Sequence, residues 1–449
     1  MKAFKAYDIR GVWGTDLNEE IAYRIGYFLP DILRTNTFLV GRDMRLSSDT
    51  AFAQLTKGLN DRGVDVDSIG LSTTPLIYWS TAKFGYEASV MITASHNPSN
   101  HNGFKISAKD AKPVGYDTGL NKLEELVESD VETPIAEKRG VTRNIDVYSQ
   151  YIDFQRQFIG NINNLKIGID CSNGASCLFI KKLLGDTPYY INDVLDGSFP
   201  NHEPNPLEAE NQIQIKETVL NNKCDIGLLF DGDADRITFI DEKGQFISPD
   251  LIIAFLGNYF FGEKHQKGIV LQDIRSSRAI QEYLGRLYGS KVETWRVGRA
   301  YAALKLRELD GCFGGELAGH YYFRDFYYSD SGIMAALLVL RLLSKFKSEG
   351  ETMSQIINEI TNYHNSGEIN FTIEKKQEAM NAVKDHFMNL EKPERFLDFD
   401  GYRLDYQDWW LNIRPSNTEP YLRFLAEAKS EEKLHEIIET VTKIINRHK

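Results

Sequence analysis

A chain of 449 residues with 42% hydrophobic and 26% charged residues has the make-up of a soluble globular protein, and its length calls for three or four domains rather than one core. A formal net charge of −12 argues against nucleic acid as a partner, since phosphate backbones select basic surfaces, yet leaves room for a small anion held by local arginines. The first residues carry Lys2, Lys5, Asp8 and Arg10, so no signal-peptide core is present, and the apolar stretch 332–340 stops at Arg341, far short of a membrane span.

These features predict a cytoplasmic protein with no membrane partner, in which 332–340 forms a buried helix. Cys171, Cys177, Cys224 and Cys312 lack the paired spacing of a zinc site or disulfide framework and are expected to be reduced and mostly packed.

In chain order, 37–48, 166–176 and 268–277 each start as a β-rich apolar run and break into a polar turn followed by a helix-like stretch. Each is answered by a second strand that ends in an unusual loop, within 89–98, 224–236 and 311–320. Strand, helix, strand repeated in this way predicts parallel α/β units with active loops at the carboxyl ends of the strands. The tail differs. A polar amphipathic helix near 375–390 precedes two period-2 alternations, Trp409, Leu411, Ile413 and then Leu422, Phe424, Ala426, and Ser430 caps a final helix. The fold expected is three related mixed α/β domains, 1–143, 144–247 and 248–364, and an α+β domain, 365–449, with hinge motion near 363–370.

The first loop, Thr93-Ala94-Ser95-His96-Asn97-Pro98, places a serine after a buried strand, where its hydroxyl could accept a phosphoryl group with His96 and the turn amides as donors. A plain proline turn is the competing reading. Lys105 adds a cation on the next strand-like segment.

The second loop is Asp231-Gly232-Asp233-Ala234-Asp235-Arg236, between the apolar runs 226–230 and 237–240. Carboxylates held about 5 Å apart at a dielectric near 20 repel by roughly 3 kcal/mol per pair, which calls for a cation. The all-oxygen donor set favours Mg²⁺ or a similar hard ion. An EF-hand is disfavoured, because Arg236 stands where that loop needs glycine and the flanks read as strands, while a solvated acidic turn stays open.

The third loop, Gly314-Gly315-Glu316-Leu317-Ala318-Gly319-His320, offers a carboxylate suited to vicinal hydroxyls and a histidine suited to phosphate or a proton. The last, Arg414-Pro415-Ser416-Asn417-Thr418-Glu419-Pro420, has the donors of a phosphate clamp.

Taken in order, these four loops resemble the signature loops of the α-D-phosphohexomutases, and most closely those of the bacterial phosphomannomutase/phosphoglucomutase branch. The likeness runs from Lys5-Ala6-Tyr7-Asp8-Ile9-Arg10-Gly11 to the last helix. It implies a heart-shaped, four-domain molecule around a central cleft. It also implies that Ser95 bears the phosphoryl group and, with Asp231, Asp233 and Asp235, ligates Mg²⁺. Arg10, His96, Lys105 and Arg236 would be the charge stabilisers around it. Glu316 would read the sugar hydroxyls, and Arg414, Ser416, Asn417 and Thr418 would hold the distal phosphate, with Arg423 and Tyr7 as further candidates for the same pocket.

Three positions depart from the branch's pattern. Ala318 stands where serine is frequent, Arg299 where a histidine commonly follows the glycine, and Arg275 where a lysine is often found. Both arginines keep positive charge at substrate-binding positions but cannot shuttle protons near neutral pH.

The expected reaction is reversible transfer between hexose 1-phosphate and hexose 6-phosphate of mannose or glucose, through phosphorylated Ser95 and a hexose 1,6-bisphosphate that turns around in the cleft. The proton carrier is left between His320 and Lys105, with His320 preferred for its ordinary pKa near neutrality. The rival readings are a phosphoglucosamine mutase, a metal-dependent sugar phosphatase and a silent sugar-phosphate sensor. The partner expected is a small sugar phosphate, with the chain a monomer or weak homo-oligomer.

Overall fold

The computed structural model describes residues 1–416 and 421–448. Four sheets follow one another along the chain. In the first, Thr37–Arg42 lies parallel to Asp65–Leu71 and to Ala88–Ile92, and Ala88–Ile92 then pairs antiparallel with His101–Ala108. The second repeats the plan, with Ile167–Asp170 parallel to Ile226–Phe230 and the latter antiparallel to Ile237–Asp241. The third repeats it again, with Ile269–Asp273 parallel to Phe313–Gly315 and the latter antiparallel to Tyr321–Phe323.

The sheets are therefore mixed rather than purely parallel. The special loops at 93–100, 231–236 and 316–320 occupy one equivalent place, the turn between the central parallel strand and its antiparallel partner. A strand that turns back on itself presents its loop at the sheet's carboxyl edge, where helix-covered parallel sheets collect ligands.

The tail forms an antiparallel sheet, ordered His364–Asn365, Tyr421–Ala428, Trp409–Pro415, Tyr402–Asp405 and Arg395–Leu397, with Ile369–Thr372 also paired to Tyr421–Ala428. Helices Lys376–Leu390 and Glu431–Asn446 supply its other layer. Ser430 caps the second of these, its Oγ accepting from the amide of Lys433 at 3.2 Å.

The second and third units share one apolar cluster with the inner face of helix Thr74–Lys83 from the first. Helix Gly332–Ser348, the sequence's apolar stretch, is buried over most of its length, each enclosed leucine contributing about 1.5–3 kcal/mol. The tail sheet has its own cluster around Phe371, Val383, Leu411, Phe424 and Val441. Among the described residues no helix is long and apolar enough to cross a membrane. The four cysteines are free, and all but Cys177 are buried.

Candidate active site

The first three special loops converge. Ser95 follows the buried strand Ala88–Ile92 by three residues, after Thr93 and Ala94, and it adopts φ +53°, a left-handed conformation that costs a non-glycine residue on the order of 1 kcal/mol. Its Oγ, almost fully buried, donates to Asp231 Oδ2 of the second loop at 2.8 Å. Close approach of the two loops depends on Gly232, where an added Cβ would lie 2.5 Å from the carbonyl oxygen of Ser95.

Asp231, Asp233 and Asp235 are wholly buried, and their ligating oxygens lie within 4.8 Å of one another. Lys105, on strand His101–Ala108, inserts its Nζ between Asp233 Oδ2 at 2.7 Å and Asp235 Oδ2 at 2.5 Å. Thr74 Oγ1 donates to the same Asp233 oxygen at 2.5 Å. The other oxygens, Asp233 Oδ1 and Asp235 Oδ1, are buried without a hydrogen-bond partner among the described residues. A carboxylate oxygen orphaned in the interior costs about 1–3 kcal/mol, so this oxygen-only cage fits a hard divalent cation.

The electrostatics support the same use. Burial, joined by Asp233 and Asp235, pushes Asp231 well above the usual carboxylate range. Burial would also raise Asp235, but Lys105 and His320 outweigh it and hold it low. Burial opposes the charge on Lys105, yet Asp233 and Asp235 together keep its ammonium above the ordinary lysine value. His96, whose Nδ1 is 3.4 Å from Ser95 Oγ, is driven well below the usual imidazole range by burial and then by Arg236 and Arg10, so it stays neutral. Arg10 donates to Asn97 Oδ1 at 2.8 Å and pairs with Asp8, two residues before it.

From the third loop, His320 Nε2 accepts from Arg236 Nε at 2.9 Å, and His320 Nδ1 faces Asp330 Oδ2 at 2.6 Å. Both ring nitrogens are thus engaged, and this geometry makes the histidine an orienter of Arg236 while it lasts. Arg299 Nε reaches Asp330 Oδ1 at 3.1 Å, and its guanidinium lies 3.8 Å over the ring of Tyr78. Burial would raise Asp330, but Arg299 and His320 outweigh it and bring it to about 2. Asp235, His320 and Asp330 also cluster within metal-binding distance, but the histidine and Asp330 are already committed to Arg236 and Arg299.

Glu316, expected to read sugar hydroxyls, is buried with Oε1 accepting from the amide of Gly298 at 2.6 Å and Oε2 from Tyr322 OH at 2.5 Å. Those two contacts fix the carboxylate's direction. Tyr7 OH donates to the Val297 carbonyl at 3.2 Å, and its ring meets Tyr301 edge-on, which brings the first unit against the 297–299 turn.

The remaining candidates line the boundary with the tail sheet. Arg275 is held by Asp273 Oδ2 at 2.7 Å and lies 3.7 Å from Glu368, and Arg423 reaches the same Glu368 at 2.6 Å. Arg414, the register partner of Arg423 on the neighbouring strand, pairs with Asp400 at 3.2 Å, and Asp400 Oδ2 accepts from the Val297 amide at 2.8 Å. Ser416 is half-buried beside them. Asn417 and Thr418 lie outside the described residues.

Several residues here escaped the sequence reading: Arg45, which grips the serine loop, and Thr74, Asp330, Tyr322, Asp400 and Glu368. Only Arg45 carried a local signal, in Arg42-Asp43-Met44-Arg45 at the end of a strand. The others meet partners from six residues away, as Tyr322 meets Glu316, to more than a hundred, as Thr74 meets Asp233.

Comparison with known proteins covers the whole arrangement. Residues 1–133, 147–244 and 248–363 match "Phosphoglucomutase/phosphomannomutase, alpha/beta/alpha domain" I, II and III, and 368–444 match the corresponding C-terminal domain. The phosphomannomutase of Escherichia coli K12 is 37% identical over 449 residues, 97% of each chain. That of Methanocaldococcus jannaschii is 33% identical over 461 residues, covering 99% of this chain and 98% of its own. A phosphoglucomutase/phosphomannomutase family protein from Burkholderia thailandensis superposes with a TM-score of 0.89 at 27% identity, covering 100% of this chain and 97% of its own.

Proposed function

Because the chain belongs to the phosphoglucomutase/phosphomannomutase family, we propose that it interconverts mannose or glucose 1- and 6-phosphates through phosphorylated Ser95 and a hexose 1,6-bisphosphate. It is a hexose-phosphate mutase, an isomerase that moves a phosphoryl group within the sugar. The observation that carries the finer reading is the contact of Ser95 Oγ with the carboxylate cage of Asp231, Asp233 and Asp235, ringed by Lys105, Arg236 and Arg10.

In the forward step a hydroxyl of the bound sugar monophosphate attacks the phosphorus on Ser95. The new O–P bond forms as the Oγ–P bond breaks, leaving the bisphosphate and a free serine. The bisphosphate turns end for end, and its other phosphate returns to Ser95. Such transfers rest on in-line positioning and spreading of charge. Asp231, Asp233, Asp235 and Ser95 Oγ would hold Mg²⁺, which supplies charge neutralisation at the phosphoryl oxygens when bound. Lys105 is kept charged by two carboxylates and so stabilises the phosphate rather than moving a proton. His320 is left as the proton carrier. Its Nε2 comes free when Arg236 turns its donors to the phosphate. Arg414, Ser416 and Arg423, with Asn417 and Thr418, would hold the distal phosphate, and Glu316 and Arg299 the sugar side.

Intact mass after incubation with a hexose 1,6-bisphosphate tests the serine: one phosphate is added to the wild type and none to Ser95→Ala, and equal addition to both refutes Ser95 as acceptor. Glucose, mannose and glucosamine 1-phosphates, each with Mg²⁺ and an activating bisphosphate, test the substrate class. A clear preference for glucosamine 1-phosphate, or net release of inorganic phosphate, would replace the reading.

A further inference from the structure

Strand Thr37–Arg42 ends in a turn built on Asp43, whose Oδ1 accepts from the amide of Arg45 at 3.0 Å and from Ser48 Oγ at 2.6 Å as helix Ser48–Asp61 begins. That turn sends Arg45 inward, 2% exposed, while its neighbour Leu46 is 76% exposed.

The buried guanidinium spends all of its donors locally. Nε pairs with Asp43 Oδ2 at 3.1 Å. Nη2 donates to the carbonyls of Ser95 at 2.8 Å and Asn97 at 2.7 Å. Nη1 donates to those of Pro98 at 2.6 Å and His101 at 3.2 Å. Phe199 of the second unit closes the remaining face, its ring centre 5.0 Å from Cζ.

We propose that Arg45 is the positioning residue of the transfer reaction: its fork grips the serine loop from behind by four carbonyls and sets where Ser95 Oγ points. The inference rests on Ser95 as the phosphoryl acceptor. An arginine with no donor left over does not touch substrate, so its part in the chemistry runs entirely through the loop. The grip is needed because Ser95 sits in a left-handed conformation that its own side chain does not favour. Lysine keeps the charge but has three donors on one nitrogen and cannot span carbonyls on both sides of the loop. Asp43 orients the fork, so the pair acts together.

The test uses full-length protein and counts competent sites by phosphoryl label taken from a hexose 1,6-bisphosphate. In Arg45→Lys, turnover per labelled site falls about 100-fold, the cost of a misplacement near 1 Å, while KM for the sugar phosphate changes less than about twofold. In Asp43→Asn, turnover per labelled site falls about tenfold with the same unchanged KM. A residue that merely holds the fold together would lower the number of labelled sites and leave turnover per site intact. Turnover per labelled site within about twofold of wild type in Arg45→Lys overturns the proposal, and if that variant does not fold, the same result in Asp43→Asn overturns it. Label on Ser95→Ala is a separate outcome that overturns the serine reading itself.

Discussion

Lys105 shows how one side chain can hold a charged cage together. Three buried carboxylates within 4.8 Å would repel strongly, and the ammonium placed between Asp233 and Asp235 takes up part of that charge. Oδ1 of each of the same two residues accepts no hydrogen bond among the described residues, which leaves work for a second cation. Lys105→Met should therefore lower the unfolding free energy by about 3 kcal/mol in a chelator, since removing one member of a buried ion pair strands its partners. Millimolar Mg²⁺ should restore a large part of the loss, measured as Tm with and without the ion; an identical loss in both conditions would count against a divalent ion at this loop. At this scale the sequence was informative where chemistry follows spacing, as in Asp231, Asp233 and Asp235. It was silent where chemistry follows tertiary contact. Nothing near Asp330 announces that it will anchor both Arg299 and His320, and nothing near Asp233 shows that Thr74 will use one of its oxygens.

Each of the first three units builds its functional loop from one device, a central parallel strand that turns directly into an antiparallel partner. The alternation of apolar runs and polar turns made the strands and the repeat readable, as it made the tail's two strands and capped final helix readable. The antiparallel return was readable at the second loop, where 226–230 and 237–240 are strands joined by a turn too short for a parallel crossover, but the strand–helix–strand repeat by itself pointed only to parallel pairing. Packing of one loop on another then turns on small residues. Gly232→Ala places a methyl carbon 2.5 Å from the Ser95 carbonyl oxygen, which is backbone and cannot swing aside, with Pro204 Cβ also close at 3.4 Å. The two loops must separate by several tenths of an ångström. The expected result is a fall in kcat of about 100-fold with little change in the far-ultraviolet circular dichroism spectrum. Near-normal kcat would mean that the Ser95 and Asp231 loops need not touch.

Across the whole molecule, the tail sheet's apolar cluster draws on no residue of the other three units, and a set of polar contacts joins it to the third. Arg403, buried and lying 3.9 Å over Trp410, donates to the carbonyls of Ile274 and Ser276 across that seam. Beside it, Glu427 accepts from Ser277 Oγ at 2.7 Å, from Trp410 Nε1 at 2.8 Å and from Asn365 Nδ2 at 2.9 Å, the last residue falling in the stretch expected to act as hinge. Burial chiefly, and then Asp250 on helix Pro249–Gly257, pushes the Glu427 carboxyl up to about 7 despite those donors. A carboxyl raised in the folded state from an unfolded value near 4.5 stabilises fully below that value, where both states hold the proton. The contribution is lost as pH rises toward 7, because only the unfolded chain releases its proton early, and above 7 the curve is level. The size is on the order of 3 kcal/mol, and Glu427→Gln removes the titration while keeping the side chain's volume. Thermal unfolding at half-unit steps from pH 4.5 to 8 should show the wild type losing stability relative to Glu427→Gln up to about pH 7 and running parallel to it beyond. A difference between the two that does not change with pH would mean that Glu427 is ionised throughout and that the seam carries a fixed charge.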